Sequence, residues 1–392
     1  MRIPRFVASA LFATFLVTAP SLTCDWDYPI WIPRSSTANP LYRFVKGNRI
    51  GYIDTTGKVV VPPVIRFFGG NNGGEFHDGL LEIGVSDGVY VDARGRTAIK
   101  KKFYRGWDFS EGLAVAMEVD GGKWGYIDMK GNFAISPRFK SSPTDYVWSF
   151  EGGLAKIEVA GKFGYIDRTG DFKIQPHLLD GDSFHEGMAR VIVEGPCVYS
   201  RIAKESPCGE FGVVPKGVAT TDSLPVCKYA FIDESGNIIS EQRYDYALHF
   251  AEGLAPVEIG KSWGYINNKG EVVVAPHFES AAPFADGLAL VSEGGLFGYI
   301  DRSGAYVIEP RFSHAEDFSE GLAVVGGSQS EYWFIGHDGQ QAFAPRFALA
   351  SPYFKGLAHV KILSKGEDNE SSYRSVFSYI DTKGRVVFTY KR

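Results

Sequence analysis

The chain has 392 residues, 44% apolar and 14% aromatic, which is ample material for a large core and excludes global disorder. Its formal net charge of −5 argues against nucleic acid and against anionic lipid as partners.

The N-terminus carries Arg2 and Arg5, then an uncharged run from Phe6 to Ala19, then the small residues of Thr18 to Ser21. That order is a secretory signal, and the run is too short to span a bilayer comfortably. Residues 1–23 are therefore read as a signal peptide. The mature chain is expected to be extracytoplasmic, periplasmic or secreted, with no integral membrane span. An uncleaved anchor is the alternative. Cleavage removes two arginines and takes the formal charge from −5 to −7. Cys24 then stands next to the cleavage site, where lipidation stays open, although Ser21-Leu22-Thr23 is a poor match to a lipoprotein box. Residues 24–40 form a lead segment rich in proline and aromatics.

From residue 41 to 392 one phrase recurs. GYID at Gly125 to Asp128 returns at Gly51, Gly164 and Gly298, with variants at Val89, Ala230, Gly264, Trp333 and Ser378. Most intervals are 34 to 39 residues, with longer ones of 66 and 45, so one unit is about 35 residues long. A glycine follows each phrase by three places, as in Gly57, Gly131 and Gly304. Asp opening and Gly closing is the chemistry of a tight hairpin turn. A second phrase, EGLA, stands at Glu111, Glu252 and Glu320 and leads into alternating runs such as Leu113, Val115 and Met117, the pattern of a strand. After the turn glycine, runs such as Glu271 to Pro276 are β-branched and end at proline, which predicts a third strand stopped there. Amphipathic helical patterns are essentially absent.

The fourth interval holds an insertion, at about 195–229, that contains Cys197, Cys208 and Cys227. In an exported chain these are disulfide candidates, with Cys24 the possible fourth partner; four cysteines allow three pairings. Catalytic signals are weak. The acids recur at turn positions instead of occurring once as an unequal pair, and the histidines sit a repeat or more apart. No serine-nucleophile, phosphate-loop, HExxH or CxxC motif occurs, so no catalytic residue, metal or cofactor is assigned. Two tryptophans depart from the pattern. Two places before the phenylalanine that precedes each EGLA phrase lie Trp107 and Trp148, where other units hold Gly74, Asp182, Leu248, Ala282 and Glu316. A position that accepts Gly, Asp and Glu belongs at the surface, so the two tryptophans are the candidate ligand-binding residues, side by side on stacked repeats. The competing reading is that they cover an irregular gap near the longer connection before Phe150.

KWGYID at Lys123 and SWGYIN at Ser262, joined to EGLA upstream and SPRF or APHF downstream, closely resemble the WG-repeat family of bacterial proteins. The resemblance covers residues 41–392 apart from the insertion. It implies no shared catalytic centre. A 35-residue hairpin unit cannot bury its own apolar face, so the expected fold is all-β: about nine stacked three-stranded repeats in an open, curved, solenoid-like array, with a closed propeller-like toroid as the alternative. The expected function is a non-catalytic binding scaffold for an unknown protein or glycan partner. A secreted glycan-active hydrolase and a purely structural envelope component are the rival readings.

Overall fold

The computed structural model describes residues 40–66, 76–83, 89–140, 146–194, 228–327, 331–344, 346–362 and 376–391. The chain divides into two units. The smaller, Met1–Tyr28 with Tyr199–Ala219, lies outside the described residues, and every described residue belongs to the larger, Pro29–Val198 with Thr220–Arg392. The signal segment, Cys24, and the insertion with Cys197, Cys208 and Cys227 likewise lie outside the described residues.

The fold is all-β, and among the described residues there is no helix. A representative repeat runs Tyr246–Ala247, Leu254–Ile259, Ser262–Asn267 and Val272–Phe278, hydrogen-bonded in that order and antiparallel throughout. Four-stranded sheets of the same kind occur at 105–139, 147–178 and 280–312. The expectation of three strands per repeat is thus corrected for these units. The additional first strand is only two residues long in most of them, too short to write a period-two pattern into the sequence.

The composition of each strand follows from its place. The second and third strands lie inside the sheet and are apolar on both faces; all of Leu113–Met117 is buried. The fourth strand is the sheet edge, so Val272 and Val273 are exposed while Val274 is buried. The strand does not stop at its proline, as the sequence suggested. Phe133–Phe139, Val272–Phe278 and Tyr306–Phe312 run two residues past Pro137, Pro276 and Pro310. An edge strand tolerates proline because its outward N–H has no ladder partner to lose.

That proline explains the glycine of GYID. The pairing shifts between Trp124↔Phe139 and Tyr126↔Ile135, so the edge strand bulges over Gly125. A Cβ there would lie 2.6 Å from the Ile135 carbonyl oxygen and 2.9 Å from the Pro137 nitrogen. At Gly298 the corresponding distances are 2.6 Å to Ile308 O and 2.7 Å to Pro310 N. In these repeats GYID and the proline-containing edge strand are therefore in contact, and backbone proximity excludes any side chain at Gly125 and Gly298.

Cores form between repeats, as a stacked architecture requires. Leu254, Tyr265, Val274 and Phe278 of one repeat pack with Phe284, Val291 and Ile300 of the next. The first hairpin has a neighbour as well. Tyr42, Phe44 and Ile53 share a core with Leu357 and Tyr379. The Tyr42 hydroxyl donates to Phe354 O (2.8 Å) and Lys355 O (2.7 Å), and the Tyr379 hydroxyl donates to Arg43 O (2.5 Å).

Gly131 closes the turn after Asp128 at φ +83°, and a Cβ there would run into Ile99 of the preceding repeat. Gly131→Val should destabilise the protein by upwards of about 1 kcal/mol, since it combines left-handed strain with a clash. Lys130→Val, on the exposed side of the same turn, should be close to neutral. Thermal melts of the two variants check this, and equal melting temperatures would contradict the turn assignment.

Candidate functional site

The repeated acids are occupied by structure. At the GYID turns the carboxylate caps the loop: Asp128 Oδ1 accepts the N–H groups of Lys130 and Asn132, both at 2.9 Å. At Asp301 the Ser303 hydroxyl and then its N–H hold the carboxyl below its ordinary range. The EGLA acids have a different task. Asp78, Glu111, Glu186, Glu252, Asp286 and Glu320 all adopt φ of 50° to 58°. Each reaches the next repeat and accepts the glycine N–H of the corresponding turn, as in Asp286 to Gly321 (2.7 Å) and Glu186 to Gly253 (2.8 Å). Left-handed backbone costs about 1 kcal/mol at a residue with a Cβ. A charge-assisted bond to an otherwise unpaired N–H offsets it.

The position of Trp107 and Trp148 is built in the opposite way, with a pinned backbone and a variable side chain. The Trp107 N–H donates to Val115 O (3.0 Å), and its carbonyl accepts the hydroxyl of Tyr90 in the preceding repeat (2.8 Å). The carbonyls of Trp148, Asp182, Ala282 and Glu316 accept Tyr126, Tyr165, Tyr265 and Tyr299 in the same way. Burial keeps each of these phenols neutral, far above its ordinary range. The side chains that follow this fixed main chain are Trp, Trp, Asp, Ala and Glu.

The two tryptophans hold equivalent places but make separate ring contacts. Trp107 is 38% exposed and tilts against Trp124 of its own repeat, with centroids 5.9 Å apart. Trp148 is half-buried between Tyr146 (6.0 Å) and Phe163 (5.7 Å), with the Lys156 ammonium 4.2 Å from its centroid. Among the described residues no ring contact joins Trp107 to Trp148.

Charged residues on the second strand, which sequence reading passed over, complete the strip. Lys156 pairs with Asp180 (3.3 Å) of the next repeat. Arg190 pairs with Asp182 (2.6 Å), donates to Ala247 O and lies over Tyr229 and Tyr246. The signal available was a charge interrupting an otherwise apolar run, as in LAKIEV and MARVIVE. Two acids beside the strip are perturbed. Desolvation raises Asp108, against the pull of His77 at 3.9 Å. Asp317 is exposed, and desolvation with help from Glu316 pushes its carboxyl up to about 6. Among the described residues no group of three His, Cys, Asp or Glu is arranged to hold a metal ion. Nor is any helix there long and apolar enough to cross a membrane.

The family model described as WG containing repeat matches residues 50–74, 90–122, 124–163, 163–195, 229–262, 263–297 and 297–326. No curated protein matches the chain. Among solved structures, BamB from Moraxella catarrhalis is similar at 11% identity, over 90% of this chain and 94% of that one, with a TM-score of 0.35. A streptogramin B lyase is 14% identical over 64% and 88%, TM-score 0.32. The WD40 β-propeller domain of Doa1 is 11% identical over 64% and 86%, TM-score 0.28. Likenesses this distant carry no argument about fold or function.

Asp317 yields a pH prediction. Its carboxyl is raised in the folded state, so its favourable contribution is present below the ordinary carboxylate pKa and is lost as pH rises through about 6. Asp317→Asn should match the parent near pH 4 and be more stable above pH 7, by no more than about 1 kcal/mol because water screens the exposed group. Denaturant unfolding at the two pH values checks this. A variant less stable than the parent at pH 8 would refute the assignment.

Proposed function

This chain belongs to the WG-repeat family, and on that premise we propose that it is a non-catalytic, extracytoplasmic scaffold that binds a protein or glycan partner along the first strands of its repeats. The observation that carries the reading is the pinned position: tyrosine hydroxyls fix the main chain at Trp107, Trp148, Asp182, Ala282 and Glu316, while the side chains there vary. A constant frame with changeable side chains is how repeat proteins build binding surfaces. The absence of a catalytic role is supported by the repeated acids, whose carboxylates are committed to turns and to inter-repeat bonds.

The scaffold is proposed to close on itself as a propeller-like ring, the alternative to an open array. Support comes from Tyr379, which reaches Arg43 O at the place where other tyrosines reach a following repeat, and from the shared core of the first and last hairpins. Export is supported by the N-terminal sequence, with Cys197, Cys208 and Cys227 candidates for a stapled insertion.

The test is capture of binders from envelope extract, together with a glycan array, using the parent chain, Trp107→Ala and Trp148→Ala. Each substitution should weaken binding by about 1 to 3 kcal/mol and leave the melting temperature nearly unchanged. Unaltered binding by both variants, or a large loss of stability in both, would return the tryptophans to the core and remove this surface from the reading.

A further inference from the structure

Residues 93–140 carry ten lysines and arginines against five acids, in a chain whose acids outnumber its bases 46 to 41. The densest part of this surplus is Lys100-Lys101-Lys102. Regular repeats place a proline-containing edge strand here, as in Phe133–Phe139 and Val272–Phe278, whereas residues 98–104 form no strand. Ile99 and Phe103 are buried and anchor the segment at both ends, so the three lysines between them are exposed.

Lys101 is held in place. Its ammonium lies 3.0 Å from Glu118 and 5.0 Å from the ring centroid of Phe133 in the next repeat. Lys100 and Lys102 have no ion pair, hydrogen bond or ring contact among the described residues. A Cβ on Gly131 would meet Ile99, so the turn that carries the exposed Lys130 lies beside the same segment.

The basic surface leads to Trp107. Glu118 follows Met117, which pairs with Arg105 across the sheet, so Lys101 stands next to the first strand of the third repeat. Residues two apart along a strand point to one side, and both Arg105 and Trp107 are exposed. The Arg105 guanidinium lies 5.7 Å from the Tyr104 centroid, so cations and aromatic faces are interleaved. Four of the five acids in this region are engaged. Glu118 takes Lys101, Asp108 lies 3.9 Å from His77, Glu111 accepts the Gly153 N–H at 3.1 Å, and Asp128 caps its turn. Asp120 stands exposed on the hairpin tip.

We infer that the track from Lys100 and Lys102 through Arg105 to Trp107 binds an acidic polysaccharide of the uronic acid type. This rests on the binding-scaffold reading and gives its partner a chemistry. Ammonium groups are compact point charges suited to carboxylates spaced along a chain, and an exposed indole offers a face to a sugar ring. A uronic acid polymer presents both features. The protein as a whole is acidic, so a membrane plane or a nucleic acid duplex would meet repulsion beyond the track, whereas one narrow chain can follow it.

The experiment is a calorimetric titration of the full chain with polygalacturonate, poly-glutamate and neutral dextran. Polygalacturonate should bind the parent, less tightly as salt is added; poly-glutamate should bind at least tenfold more weakly, and dextran not at all. The double variant Lys100→Glu with Lys102→Glu, and separately Trp107→Ala, should each weaken polygalacturonate binding at least tenfold at an unchanged melting temperature. Lys269→Glu, on an exposed turn of the 246–278 repeat, should bind as the parent does. No binding by the parent, equal binding of poly-glutamate, undiminished binding by either track variant, or an equal loss in Lys269→Glu would overturn the inference. If it fails while the parent still captures a binder from envelope extract, the acidic-glycan chemistry alone is rejected. Absence of any captured binder as well would reject the scaffold reading too.

Discussion

A buried tyrosine hydroxyl needs a partner, and on the third strand of the repeats built on GYID or GYIN it finds one on the repeat that follows. Tyr126, Tyr165, Tyr265 and Tyr299 are fully buried on the third strand, and each donates to a main-chain carbonyl of the repeat that follows. Left unpaired, such a group would cost about 1 to 3 kcal/mol. The bond therefore sets the offset between repeats as well as holding them together. It also makes the first strand possible, since two residues have little cohesion of their own.

Two further links act at other levels of the same boundary. The EGLA acids bond the next turn at the backbone, and apolar side chains of adjacent sheets fill the space between. The boundary between Gly152 and Phe184 departs from this scheme. Gly152 takes the place of the acid because its backbone presses against Phe184, and Glu151 approaches His185 instead, at 3.6 Å. The last acid is likewise replaced, by Lys355, where the neighbouring element is the first hairpin and Tyr42 bonds the Lys355 carbonyl. Departures from the repeat thus have local causes in the packing.

Much of this was legible in the sequence. The hairpin turns, the second and third strands and the registered repeats all follow from GYID, its trailing glycine and EGLA, because each reports a local requirement of backbone torsion or burial. The missed features are those in which the decisive partner lies in another element. The first strand is too short to show a period. The strand through Pro137 needed knowledge that it was an edge. The glycine of GYID has no visible reason until the bulge over it is seen. At the candidate site, the variable position of Trp107 and Trp148 could be found by alignment of repeats. Their surroundings could not, since Lys156 lies over Trp148 while the buried Val115 holds the matching place in the Trp107 repeat, a difference that appears only when strand registers are compared.

The central claim is that each buried tyrosine orders the first strand of the repeat ahead of it. Site-resolved amide hydrogen exchange on Tyr265→Phe tests this most directly. The Ala282 N–H, which bonds Leu290 O beside the lost hydroxyl partner, should exchange much faster, while amides of Leu254–Ile259 in the repeat that carries the substitution stay protected. Loss of protection confined to residues 246–278, or spread evenly along the chain, would contradict it.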